Sequence, residues 1–138
     1  MAINLTYYHV ASDVPENNSD IAVVIDVLRA TTTIACALMN GADSVKVFSD
    51  LELLREDAYK WDSKKRLMLA ERGGKKIDGF DLGNSPVAVT SNVVKGKRLF
   101  MSTTNGTKAF QKVQNIKNLF SMSLNNRKAI GDRIISLK

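Results

Sequence analysis

The chain has 138 residues, 44% of them hydrophobic, and a formal net charge of +6. Domains most often contain roughly 100 to 150 residues, so this length predicts a single domain, residues 1–138, with a sizeable core. The single cysteine, Cys36, excludes an intrachain disulfide framework and a cysteine-rich zinc site. Neither a membrane-spanning run nor a signal peptide is recognisable, so we expect a cytoplasmic protein whose excess of cations favours anionic partners.

Strand and helix patterns alternate along the first half of the chain. Residues 21–27 form an apolar, β-branched run typical of a central strand, and residues 30–40 predict a helix that is apolar nearly all round. Residues 44–48 predict the next strand. Ser49 and Glu52 then match a capping box, and the following helix pairs Glu56 with Lys60 on its outer side. Its inner face, which we expect in the core, contains Leu51, Leu54, Ala58 and Trp61.

The second half of the chain continues the alternation. Short strands are predicted over residues 66–71, 98–102 and 118–122, and helices over residues 104–113 and 125–137. Before the first central strand, residues 4–8 predict an edge strand, and the polar residues 11–20 predict a loop. The predicted fold class is α/β: a layered fold with a mixed, mainly parallel sheet and helices on both faces.

Residues 69–86 combine four glycines with cations and carboxylates, a mixture that an ordinary core does not explain. Glycines permit positive φ angles and a close approach of the backbone to a ligand. Arg72, Lys75 and Lys76 supply donors for phosphate or sulfonate oxygens, whereas Glu71, Asp78 and Asp81 suit a hard cation such as Mg²⁺. A binding loop is favoured, and a solvated surface turn is the alternative.

Two threonine-rich turns follow predicted strands, in residues 25–33 and 99–107. A helix begins after each turn, so unpaired backbone N–H groups and threonine hydroxyls are available to an anion. Ligands of open α/β sheets bind beyond the carboxyl ends of the strands, and we therefore expect both turns to converge with the glycine-rich loop on one site. Helix capping is the alternative role of each threonine cluster.

Two basic clusters, residues 64–66 and 95–98, flank predicted strands. Solvated turns of this kind are common, and the clusters lack the interleaved aromatic residues of a nucleic-acid surface. A nucleic-acid partner therefore rests on net charge alone and is not expected. Cys36 lies among alanines and leucines and is expected to be an inert thiol, and the lone His9 is expected to be structural or solvent-facing.

Three motifs in this order resemble those of the 2-phosphosulfolactate phosphatase family: VIDVLRATTT at residues 24–33, ERGG followed by GFDLGNSP within residues 71–86, and TTNGT at residues 103–107. The resemblance implies a Mg²⁺-dependent hydrolase that converts 2-phospho-3-sulfolactate into 3-sulfolactate and phosphate, a step of coenzyme M biosynthesis in methanogens. Members of that family are longer, and this chain resembles their N-terminal part. A truncated, non-catalytic module that binds a phosphorylated or sulfonated acid is the alternative function.

Phosphoryl transfer requires neutralisation of phosphate charge and orientation of the nucleophile, which selects the candidate residues. We predict Asp26, Arg29 and Asp81 as catalytic residues and Asp26, Glu71 and Asp81 as Mg²⁺ ligands. Water is the preferred nucleophile, because the paired aspartates of haloacid dehalogenase phosphatases are absent; attack by Asp26 is the alternative. The predicted substrate-binding residues are Thr31, Thr32, Arg72, Gly73, Gly74, Lys75, Asn84, Thr103, Thr104, Asn105, Gly106 and Thr107.

The expected ligand is a small anionic substrate rather than a nucleic acid or a membrane. A parallel sheet is normally covered on both faces, and a chain shorter than its family should leave apolar surface or a strand edge open. We therefore expect either a homodimer or a lowered stability.

Overall fold

The computed structural model describes residues 4–15 and 19–137. None of the helices in this part is long and apolar enough to cross a membrane. Two single 3₁₀ turns occur, at Ala11–Asp13 and Ser63–Lys65. The strands and α-helices, in chain order, are β1 (Ile21–Ile25), α1 (Ala30–Met39), β2 (Ser44–Val47), α2 (Leu51–Tyr59), β3 (Arg66–Arg72), β4 (Lys75–Lys76), α3 (Ser91–Val94), β5 (Arg98–Ser102), α4 (Gly106–Lys112), β6 (Asn118–Met122) and α5 (Arg127–Ser136).

The strands within residues 4–15 and 19–137 form two sheets. In the larger one, β5 lies between β2 and β3 and is parallel to both, while the short β4 pairs antiparallel with β3. In the smaller one, β1 and β6 are parallel along their whole length. The predicted α/β class with mainly parallel strands is therefore confirmed, although the described strands are divided between two sheets.

Alternating side chains of the central strands bury both faces of the larger sheet. Leu69 of β3 and Leu99 of β5 pack on the side of α1 and α4, in a core that also contains Val24 of β1. Met68 and Phe100 point to the opposite side, where they contact Leu54 and Ala58 of α2. Coverage of both faces is typical of parallel strands, so the ends of the strands are the places where polar groups can gather.

Several local predictions were wrong. Residues 4–8 form no strand. The N-cap of α2 is Asp50 rather than Ser49, because the Asp50 carboxylate accepts hydrogen bonds from the backbone N–H groups of Glu52 and Leu53 at 2.8 and 2.9 Å. A carboxylate at this position caps the helix and also favours its dipole. The predicted loop over 11–20 contains a 3₁₀ turn, and its residues 16–18 lie outside the described part.

Contacts on the outer side of α2 also differ from the expectation. Lys60 lies 3.7 Å from Asp57 instead of pairing with Glu56. Asp57 also forms an ion pair with Lys46 of β2 at 2.7 Å, so this carboxylate links α2 to the sheet. Trp61, expected in the core, follows the last turn of α2 and remains 42% exposed.

Candidate active site

The three sequence motifs converge on a small cavity at the carboxyl ends of β1, β3 and β5. Its volume is about 220 Å³. We call it the motif cavity; its lining residues are Asp26, Leu28, Arg29, Glu71, Gly73, Gly74, Asn84, Thr104 and Asn105. A larger hollow of about 590 Å³, between the segment before β1 and α4, contains none of the motif residues and has no carboxylate in its lining. Chemistry rather than size therefore identifies the candidate site.

Glu71 ties two of the motifs together. Its side chain is only 6% exposed. One carboxylate oxygen accepts the N–H of Gly74 at 2.8 Å and the other accepts the N–H of Thr104 at 2.7 Å. Burial raises the pKa of Glu71, but the hydrogen bonds from Thr104 and Gly74 and the nearby Arg29 charge outweigh it, so the pKa lies below its ordinary value of 4.5. Glu71 is therefore an ionised clasp between the glycine loop and the turn after β5.

The threonines after β1 stabilise their own loop. The hydroxyl of Thr31 donates to the carbonyl of Asp26 at 2.8 Å and accepts the N–H of Asp26 at 2.9 Å. The hydroxyl of Thr32 donates to the carbonyl of Val27 at 2.7 Å. Thr31 is fully buried, and neither threonine lines the motif cavity. In this structure these hydroxyls shape the loop that presents Asp26 and Arg29.

The turn after β5 is stabilised in a similar way. Thr107 donates its hydroxyl to the carbonyl of Thr103 at 2.8 Å, and its N–H donates to the Thr103 hydroxyl at 3.3 Å. Both residues are buried. They therefore close the first turn of α4, while Thr104 and Asn105 face the cavity.

Gly106 is required by a close approach between α4 and the loop after β1. A Cβ atom at this position would lie 2.5 Å from the Cβ of Ala30 and 2.9 Å from Oδ2 of Asp26. Only glycine fits such a contact. Gly106, predicted to bind substrate, instead lets the Asp26 carboxylate lie against the start of α4.

The two predicted arginine ligands occupy different environments. Arg29 lines the cavity and donates to the carbonyl of Gly74 at 3.3 Å. Arg72 donates to the Ser102 hydroxyl at 3.0 Å and to the carbonyl of Glu71 at 2.7 Å, outside the cavity lining. Lys75 is exposed in β4 and also lies outside the lining. Arg29 is thus the cation that the described lining presents to a ligand.

Asp81 is not part of the cavity. Its carboxylate accepts the N–H of Met68 at 2.7 Å, and its own N–H donates to the Met68 carbonyl at 2.9 Å. Asp81 therefore completes the hydrogen bonding of β3 beside the strand. Among the residues that the structure describes, no group of three or more acidic, histidine or cysteine side chains comes together to hold a metal, so the predicted ligand trio of Asp26, Glu71 and Asp81 does not form.

Comparison with known proteins decides the family. The family model described as 2-phosphosulpholactate phosphatase matches residues 8–138. The chain belongs to this family. A probable 2-phosphosulfolactate phosphatase of Prochlorococcus marinus is 64% identical over 135 residues, which are 97% of this chain and 56% of that protein. A protein of the same name from Nostoc punctiforme is 48% identical over 129 residues, or 93% of this chain and 52% of its own length.

The chain therefore spans about half the length of the curated phosphosulfolactate phosphatase relatives that it matches. The family motifs place two groups with oxygens free of described hydrogen bonds at the cavity: the Asn84 side-chain amide and the Asp26 carboxylate. Oδ1 of Asn84 is buried without a hydrogen-bond partner, and Asn84 lines the same cavity as Asp26. No hydrogen bond to the Asp26 carboxylate is found within the described ranges. An amide oxygen and a carboxylate are the kind of ligands that a hard divalent cation takes, so these two residues fit Mg²⁺.

Leu28, which was not among the predicted site residues, lines the cavity and is 89% exposed. An apolar residue between Asp26 and Arg29 looks like the continuation of a strand. Because β1 ends at Ile25, Leu28 instead belongs to the loop. Asn84 of the GFDLGNSP motif was predicted to bind substrate, but nothing in the sequence indicated that its side chain is buried.

Proposed function

We propose that the motif cavity binds and hydrolyses a small phosphate ester, 2-phosphosulfolactate. The observation that carries this proposal is the convergence of the Asp26 carboxylate, the Arg29 guanidinium and the unpartnered Asn84 oxygen in one cavity. The Arg29 guanidinium suits phosphate oxygens, and the oxygens of Asp26 and Asn84 suit a divalent cation that accompanies the phosphate group. The names of the relatives support the choice of substrate, which carries phosphate, carboxylate and sulfonate groups.

Mg²⁺ is the proposed cofactor, with Asp26 and Asn84 as the protein residues that would hold it. When bound, Mg²⁺ would supply charge neutralisation at the phosphoryl oxygens. Glu71 is assigned a different role from the one the sequence predicted, since both of its carboxylate oxygens already accept backbone N–H groups.

The remaining lining residues orient the ester. Arg29 donates to phosphate oxygens in place of its long hydrogen bond to Gly74. The Thr104 hydroxyl accepts the N–H of Gly73 at 3.3 Å and also forms a hydrogen bond with the Glu71 carboxylate, so Thr104 holds the glycine loop at the edge of the cavity. Asp26 accepts the proton of the attacking water as the water oxygen bonds to phosphorus. The phosphorus–oxygen bond of the ester breaks, and the released alkoxide takes a proton from solvent, so that sulfolactate and phosphate are the products. Isolation of a phosphorylated Asp26 would replace this route by direct attack of the carboxylate.

A non-catalytic binding module is the second candidate. It is favoured by the hydrogen bonds that engage Glu71 and Asp81 with backbone N–H groups, because they leave Asp26 as the one carboxylate of the predicted trio without a described hydrogen bond. In this case the cavity binds the phosphorylated acid, and no phosphate is released.

One experiment separates the two functions. Purified chain is mixed with 2-phosphosulfolactate, with Mg²⁺ or with a chelator, while calorimetry measures binding and a phosphate assay measures product. The full-length Prochlorococcus relative provides the reference. Metal-dependent phosphate release by this chain supports hydrolysis, and saturable heat without product supports the binding module. Neither heat nor product, under conditions where the relative is active, contradicts both proposals.

A further inference from the structure

A pair of arginines lies at the amino ends of β3 and β5, at the opposite end of the sheet from the motif cavity. Arg66 and Arg98 are the first residues of these strands and are register partners. Neighbouring strands are about 4.8 Å apart, so the two long side chains leave the sheet side by side. We call Arg66 and Arg98 the arginine pair.

Aromatic rings from the end of α2 hold the arginine pair in place. The Arg66 guanidinium lies 4.6 Å from the ring centre of Tyr59, and the Arg98 guanidinium lies 4.6 Å from the ring centre of Trp61. Stacking of this kind orients the plane of a guanidinium and leaves its N–H edge free for hydrogen bonds. The rings are partly open to solvent, since Tyr59 is 61% and Trp61 42% exposed.

The donors of the pair have no acceptor. Nη1 of Arg66 and Nε of Arg98 are buried without a hydrogen-bond partner, and within the described ranges neither guanidinium forms an ion pair or donates a hydrogen bond. Asp57, whose carboxylate interacts electrostatically with Arg98, is already engaged by Lys46 at 2.7 Å and Lys60 at 3.7 Å. Buried charged donors without an acceptor are uncommon and costly, which marks the place as incomplete.

We propose that the arginine pair binds a small tetrahedral oxyanion of the phosphate or sulfate class. Such an anion has several oxygens, so it can accept from two guanidinium groups on neighbouring strands at once. The surrounding basic clusters, residues 64–66 and 95–98, add positive potential. The clusters lack interleaved aromatic residues in the sequence, which counts against a nucleic-acid surface; in the fold, Tyr59 at the end of α2 and Trp61 after it supply aromatic rings. The proposal is independent of the function of the motif cavity.

Trp61 offers a direct test, because it is the single tryptophan of the chain and contacts Arg98. Inorganic phosphate is titrated into the protein at constant ionic strength while tryptophan emission is recorded. We expect a saturable change that sulfate reproduces and chloride does not. Arg66→Gln, which leaves the Trp61–Arg98 contact in place, is expected to weaken half-saturation about tenfold or more. Arg66→Lys, which keeps the charge and loses the planar fork, should weaken it by a smaller factor.

Two controls distinguish this site from others. Lys64→Gln removes one surface charge next to the pair and should change half-saturation less than about twofold. Arg29→Gln alters the motif cavity and should leave the Trp61 response intact, so failure of the proposed hydrolysis and failure of this proposal are separable. The proposal is overturned by an absent Trp61 response, by an equal response to chloride, by an unchanged response in folded Arg66→Gln and Arg66→Lys, or by a response confined to oligonucleotides.

Discussion

Replacement of the Glu71 clasp by glutamine is the most informative single perturbation of the site. Glu71→Gln keeps the shape of the side chain and leaves one oxygen for one of the two backbone donors. The other donor, either Gly74 N–H or Thr104 N–H, then faces an amide NH₂ group. Because Glu71 is only 6% exposed, water cannot replace the missing acceptor easily.

The expected destabilisation follows from these two hydrogen bonds. A bond to a charged group contributes about 1.5 to 3 kcal/mol, and the variant loses one such bond and neutralises the other, so we expect a loss of about 2 to 4 kcal/mol in the free energy of unfolding. The effect should depend on pH. The folded-state pKa of Glu71 is lowered, so its ionised form stabilises the fold above the ordinary glutamate pKa, and this contribution disappears as pH falls through the lower folded value.

Urea denaturation of wild type and Glu71→Gln near pH 7, and again below the ordinary glutamate pKa, measures both expectations. Glu56→Gln is the matched control, because Glu56 is exposed on α2 and has no described hydrogen bond. Amide hydrogen exchange should localise the loss to Gly74 and Thr104. Equal stability of Glu71→Gln and Glu56→Gln at neutral pH, or a difference that does not shrink in acid, would refute the reasoning.

Three further predictions follow from local geometry. Gly106→Ala should lower the free energy of unfolding by about 1 to 3 kcal/mol in chemical denaturation, because its Cβ would lie 2.5 Å from Ala30 Cβ. Gly131→Ala in α5, where nothing lies within 4 Å, should raise it by about 0.5 to 1 kcal/mol. An unchanged stability of Gly106→Ala would contradict the close approach. Asp50→Ala should lower the free energy of unfolding by about 1 kcal/mol and Ser49→Ala by less than about 0.5 kcal/mol. A larger loss in Ser49→Ala than in Asp50→Ala would show that Ser49 is the cap after all. Ile25, Leu28 and Leu124 are 50%, 89% and 60% exposed near the ends of β1 and β6, so we expect self-association in sedimentation velocity at micromolar concentration, and a monomer at every concentration rejects it.

Part of the architecture was predictable because buried strands have a recognisable apolar pattern in the sequence. The apolar runs of β3 and β5 favour strands covered on both faces, and both strands are buried along most of their length. The run that contains β1 gave the same prediction, but β1 pairs with β6 in a two-stranded sheet and Val24 is its one buried residue. The rule that ligands bind beyond the carboxyl ends of parallel strands then placed three distant motifs around one cavity. Both predictions use only the position of apolar runs and the order of elements along the chain, and both can be read from the sequence.

The roles of individual polar side chains were less predictable. A loop aspartate such as Asp81 looks like a ligand until the chain folds back and its carboxylate meets the N–H of Met68. A threonine after a strand is suitable both as a cap and as a ligand, and Thr31 instead bonds the backbone N–H and carbonyl of Asp26. The contact of Trp61 with Arg98 depends on the register of β3 and β5 and on where α2 ends, and a single sequence does not specify either.

The comparison of Asp26→Asn with Asp81→Asn tests the central claim most directly. Both variants remove one carboxylate of the family motifs, but only Asp26 lines the motif cavity, and asparagine at position 81 retains an oxygen for the Met68 N–H. Phosphate release from 2-phosphosulfolactate with Mg²⁺ is measured for wild type and both variants. We predict that Asp26→Asn lowers the rate about 100-fold or more, whereas Asp81→Asn stays within a few-fold of wild type. Loss of activity in a folded Asp81→Asn together with a wild-type rate in Asp26→Asn would contradict the account.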